Sequence, residues 1–149
     1  MRYAAMLLGG VLALSLPGVA IGAGQGAKDF RAGTPDVART QKDFAGGADE
    51  FRFVVIGDRT GKHRPGVFED AMDKVEALRP DFVINIGDLI EGNSEDRAQL
   101  GKEWDEVNAA INRLSVPFFY VPGNHDLTNE VQRSEWRKRL GADYYSFTY

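Results

Sequence analysis

Three places in this sequence put metal-ligating side chains directly after a short apolar run. Asp58 follows residues 51–57, Asp88 follows residues 82–87, and Asn124, His125 and Asp126 follow residues 118–123. Carboxylate and amide oxygens suit hard divalent cations, and an imidazole extends the choice to zinc, iron or manganese. Asp58, Asp88 and the side-chain oxygen of Asn124 therefore form a candidate ligand set for one metal cluster. A single aspartate after a strand is more often a turn former or helix cap than a ligand. Three such positions in succession favour a site.

The elements that must position these residues alternate along the chain. Residues 51–56, 82–86 and 118–121 are rich in β-branched and aromatic side chains, and two of the three runs end at a glycine, which predicts three strands. Between them, Val67, Phe68, Ala71, Met72, Val75 and Leu78 recur at helical spacing up to Pro80. Leu100, Trp104, Val107, Ile111 and Leu114 do the same after Ser94, and a last amphipathic helix carries Val131, Trp136 and Leu140, with Gly141 as its cap. The order βαβαβα requires crossover connections, hence parallel strands, and places all three motifs at the carboxyl ends where open α/β sheets bind ligands. Residues 144–149 read as a strand with no partner, which predicts an apolar edge prone to association.

Composition narrows the class. In 149 residues, 43% hydrophobic and 27% charged side chains are ordinary for one globular domain, and the absence of cysteine excludes disulfides and thiolate metal sites. Residues 1–23 read as a secretory leader, predicting export to a periplasm or beyond; an uncleaved leader would instead anchor the chain in a membrane. Removing them leaves 17 basic against 22 acidic residues, a net charge of −5, with no patch that draws nucleic acid or an anionic membrane. Residues 24–50 are polar and glycine-rich and read as a flexible, exposed lead-in, tacked down by Phe30, Val37 and Phe44; the domain proper spans 51–149.

The motifs Gly57-Asp58, Gly87-Asp88 and Gly123-Asn124-His125-Asp126 resemble the calcineurin-like metallophosphoesterase family, which includes the purple acid phosphatases. The resemblance covers residues 51–149 and implies the N-terminal βαβαβ half of a four-layer α/β/β/α sandwich. It implies a phosphoester substrate and two divalent metal ions, manganese, zinc or iron, that activate a water for attack on phosphorus. Carried across, Asp58 binds the first metal, Asp88 bridges both and Asn124 binds the second. His125 contacts the phosphate or protonates the leaving oxygen, and Asp126 orients its imidazole.

Two departures qualify that reading. Thr60 stands where the family has a histidine, and the later histidine ligands are missing, since His63 and His125 are the only histidines. The expectation is therefore an N-terminal fragment or truncated half-domain with little activity alone, belonging to an active hydrolase when full-length. The alternative is a non-catalytic, secreted or anchored binding module on a degenerate scaffold. A P-loop at residues 57–62 is disfavoured, because three residues rather than four separate its glycines and His63 follows Lys62. Arg59 reads as a phosphate contact or a solvent-facing cation, Glu91 as a loop acid and His63 as exposed. Trp104 and Trp136 read as core, and Asn108, Asn112 and Asn129 as polar surface.

Overall fold

The computed structural model describes residues 30–44 and 50–149. The leader, residues 1–23, lies outside the described residues, as do residues 24–29 and 45–49 of the lead-in. Strand β1 is Arg31–Ala32, β2 Phe53–Ile56, β3 Phe82–Asn85, β4 Phe118–Phe119 and β5 Phe147–Thr148; helices α1, α2 and α3 are Val67–Ala77, Arg97–Ile111 and Glu130–Arg139. The three strands expected to carry the motifs form one parallel sheet in the order β2-β3-β4, with Val54 opposite Val83 and Ile84 opposite Phe119. All are shorter than the apolar runs predicted, because the flanking residues bend toward the loops.

Alternation along each strand separates two cores. Val54, Ile56, Val83 and Phe118 face the helices, where they meet Met72, Val75, Leu100, Trp104, Val107, Ile111 and Trp136. Trp104 and Trp136 are both buried and cross edge to face, as their helical spacing predicts. Helix α2 starts at Asp96, whose carboxylate accepts the N–H groups of Ala98 and Gln99. Gly141 follows α3 with φ 116°, the conformation expected of a residue that ends a helix.

The opposite face corrects two expectations. The lead-in is not an exposed appendage over its described part: Ala38 is fully buried, Tyr120 donates its N–H to the Ala38 carbonyl at 2.8 Å, and Thr40 donates to Phe118 at 3.0 Å. It thereby covers the outer edge of β4. Nor does the terminal strand lack a partner, since β5 pairs antiparallel with β1. Phe30, Phe44, Phe82, Phe119, Phe147 and Tyr149 close over this pairing as a second apolar cluster. The open edge belongs to β2 instead, where Phe53 and Val55 remain about half exposed (50% and 53%). Among the described residues, no helix is long and apolar enough to cross a membrane.

Candidate functional site

Each motif leaves the sheet at the same end, and the loops are tied to one another through backbone groups. Asn85, buried inside an otherwise apolar strand, donates its amide to the Val121 carbonyl at 3.0 Å and accepts the Val121 N–H at 2.7 Å. That pair holds the ends of β3 and β4 together where the parallel ladder stops. Arg59 donates its N–H to the Asp88 carbonyl at 2.9 Å, which brings the first loop against the second.

Asp126 is the knot of the arrangement. Its buried carboxylate accepts four backbone N–H groups: Asp88 and Gly123 on Oδ2, both at 2.8 Å, and Leu89 and Ile90 on Oδ1 at 3.0 and 3.2 Å. Burial pushes its pKa up, and the four N–H groups pull in the opposite direction without cancelling the rise. Both oxygens are thus committed to the backbone. The expectation that Asp126 orients the His125 imidazole is not what the geometry gives. The ring is held by the carbonyl of Glu91, which accepts from Nδ1 at 2.8 Å. The Asn93 amide nitrogen also lies 3.1 Å from Nδ1, and Nε2 has no partner among the described residues.

Asp88 sits at φ 56°, a left-handed conformation that aspartate tolerates better than most residues. Its Oδ1 accepts the His125 N–H at 2.9 Å, while Oδ2 has no partner among the described residues. Gly123 makes room for it: a Cβ there would overlap the Asp88 carboxylate. Asp58 Oδ1 accepts the N–H and hydroxyl of Thr60 at 2.8 and 2.9 Å, and its Oδ2 has no partner among the described residues. Thr60, standing where a histidine was expected, therefore turns inward on Asp58 and supplies no ligand of its own. The Asn124 side chain is exposed, and its backbone carbonyl accepts from Thr128 at 2.7 Å. His125 has its pKa raised first by the Glu91 carbonyl and further by the carboxylates of Asp88, Glu91 and Asp58, against a smaller opposing effect of burial. That influence places both Asp58 and Asp88 within electrostatic reach of the imidazole.

Asp58 Oδ2, Asp88 Oδ2, the Asn124 side-chain oxygen and His125 Nε2 have no partner among the described residues. The oxygens are of the type that divalent cations favour. Among the described residues, however, no group of three or more His, Cys, Asp or Glu side chains is placed to hold a metal.

Several neighbours play parts that periodicity did not reveal. Arg59 is neither a phosphate contact nor a solvent-facing cation. Its side chain is buried, donates to the Leu89 carbonyl at 3.1 Å, pairs with Glu106 and lies over the Phe68 ring. Glu91 accepts the N–H groups of Gly61, Lys62 and His63 at 3.3, 3.0 and 3.2 Å, so the loop acid is a latch. His63 is half-buried between Glu91 and Glu106, at 3.4 and 3.3 Å. Asn129 caps α3 by accepting the Gln132 N–H at 3.0 Å, and buried Gln132 donates to the His125 carbonyl. Asn108 accepts the Tyr120 hydroxyl at 2.8 Å. A polar residue inside an apolar run, as at Asn85, was the one available signal for such ties.

The sequence matches the family model described as calcineurin-like phosphoesterase over residues 51–148. The chain belongs to the calcineurin-like phosphoesterase family. A curated relative, the probable glycerophosphodiester phosphodiesterase GpdQ of Arcobacter nitrofigilis, is 34% identical over 62 residues, covering 39% of this chain and 20% of that protein. The match thus spans about a fifth of the relative's length. No solved structure matches the chain. The parallel sheet with its helices is consistent with the N-terminal half of this family's fold, and the calcineurin-like family is one of divalent-metal enzymes acting on phosphoesters.

Proposed function

We propose that the polypeptide carrying this chain hydrolyses phosphate mono- or diesters with the help of divalent metal, manganese, zinc or iron. Asp58, Asp88 and Asn124 would hold the cation, and His125 and Asp126 would complete the catalytic end. The observation that supports the reading is that the three motifs leave one parallel sheet at the same end, with Asp58 and Asp88 both acting electrostatically on the His125 imidazole. A bound divalent cation would polarise the phosphoryl oxygens and lower the pKa of a water.

The chain's own residues prepare the rest. The Glu91 carbonyl accepts from His125 Nδ1, and the raised pKa favours a proton on Nε2 as well, so His125 can donate to a leaving oxygen. Asp126 acts through the backbone: by accepting from Asp88 and Gly123 it sets the separation of the two ligand-bearing loops. The relative's printed name, a glycerophosphodiester phosphodiesterase, supports a diester as one candidate substrate. The leader-like residues 1–23 support export, with anchoring as the other outcome.

A second reading has its own support. Thr60 satisfies Asp58 from within the same loop, as a degenerate, non-catalytic binding module would allow. Hydrolysis of p-nitrophenyl phosphate and its bis-ester, with manganese added, separates the two. The 149-residue chain is expected to turn over little, because among its described residues no group of three or more His, Cys, Asp or Glu side chains is placed to hold a metal. A longer polypeptide carrying it is expected to be active. Metal binding without hydrolysis by that longer polypeptide would favour the binding module.

A further inference from the structure

A cleft of about 460 Å³ opens beside Asp58, and the metal-site residues do not account for its character. Its wall is apolar, from Ile56, Val67 and Phe68, while its lining includes Lys62 and Arg64. The neighbouring side chains are committed, Arg59 to Glu106 and His63 to Glu91 and Glu106. The side chains of Lys62 and Arg64 have no ion pair or hydrogen bond among the described residues. In a chain of net charge −4, two uncommitted cations in the lining of one cleft concentrate positive potential where an anion would enter.

The loop that carries them is held in shape. Glu91 accepts three consecutive N–H groups from it, and the Arg64 carbonyl accepts from Val67 at 3.2 Å. Lys62 is kept at φ 72°, a left-handed conformation that residues with a side chain rarely adopt. Arg59 lines the same cleft, and its Nε is the one buried side-chain polar atom without a partner among the described residues. The cleft is therefore built, polar on one side and apolar on the other.

We propose that Lys62 and Arg64 are specificity residues that bind a second anionic group, carboxylate or phosphate, on a ligand whose phosphoryl group is held through a divalent cation beside Asp58. The apolar wall accommodates the short carbon linker between the two groups. This assignment rests on the phosphoester reading above, and its test separates the two.

The full chain, with manganese present, is titrated calorimetrically with 3-phosphonopropionate, which carries two anionic groups, and with ethylphosphonate, which carries one. The expected result is that 3-phosphonopropionate binds about tenfold more tightly, and that added salt erodes this preference. Combining Lys62→Ala with Arg64→Ala should bring the ratio near one and leave ethylphosphonate affinity unchanged, while Lys62→Arg should keep most of the preference. A general loss of structure would weaken both ligands together rather than move their ratio. Equal affinities in the unaltered chain, or a preference that survives the double substitution, overturn the assignment and leave the phosphoester reading standing. Failure of both phosphonates to bind overturns both.

Discussion

Asp126 accepts the backbone N–H of Asp88 at 2.8 Å, and Asp88 in turn accepts the backbone N–H of His125 at 2.9 Å. The Gly87-Asp88 and Gly123-Asp126 loops are therefore each other's template, and neither carboxylate's role is separable from the other loop's backbone. Replacing Asp126 by alanine would leave four N–H groups without this acceptor, two of them in buried bonds, from Leu89 and Ile90, each of which costs about 1–3 kcal/mol. Asp126→Ala should lower the midpoint of thermal unfolding, followed by circular dichroism, by more than about 10 °C. A shift near zero would show that the carboxylate is not the knot described.

Gly123 faces the same carboxylate from the other side. A methyl group there must push Asp88 away, since the backbone of both residues is fixed by Asp126. Gly123→Ala should cost about 1–3 kcal/mol, the usual range for overpacking, and should weaken manganese binding at least tenfold. Calorimetric titration with manganese checks it, and unchanged affinity would mean that Asp88 does not serve the cation.

The parallel sheet, the helices and the exit of the three motifs at one end of the sheet were legible in the sequence because each rests on local periodicity plus a handedness rule. Phe82 and Val83 alternate as a strand must, and Met72 and Val75 recur as a helix must. What periodicity does not carry is the partner of a short, irregular segment. Residues 30–44 read as exposed because they lack a repeating pattern, yet Phe30 and Phe44 reach Phe119 and Tyr149 across more than 70 residues of chain. The role of Asp126 was missed for a related reason: its acceptors' donors are backbone groups, and backbone leaves no mark in a sequence. Arg59 looked like a loop cation because the sequence does not show that Glu106 on α2 turns toward it.

The pairing of the two described ends gives a stability prediction. Phe147 stacks on Phe119 at 4.3 Å between ring centres and meets Phe30 at 5.6 Å. Phe147→Ala should cost about 2 kcal/mol and increase binding of an apolar dye to the exposed cluster. Denaturant unfolding measures the first; no change would mean that β1 and β5 are held by their backbone alone.

Glu91 supplies a pH dependence. Its pKa is lowered chiefly by the His63 N–H, with further help from the Lys62 and Gly61 N–H groups and the His63 side chain, and burial opposes the shift. A carboxyl depressed on folding stabilises the loop above its unfolded pKa, and that contribution is lost as pH falls through the folded value. Amide resonances of Gly61, Lys62 and His63 should therefore shift together at a midpoint below 4.5, the unperturbed value. Three separate midpoints, or a common one above 4.5, would rule out the latch.

The central claim is that Asp58, Asp88 and Asn124 serve one cation, with the His125 imidazole beside it. Titrating manganese into isotope-labelled protein and recording amide line broadening tests it most directly, because broadening falls steeply with distance from the ion. The account predicts that residues 57–60, 87–91 and 123–126 broaden together at low manganese, that the far ends of α1 and α2 do not, and that Asp88→Asn abolishes the effect. Broadening confined to one loop, or centred on acidic side chains elsewhere and indifferent to Asp88→Asn, would contradict it.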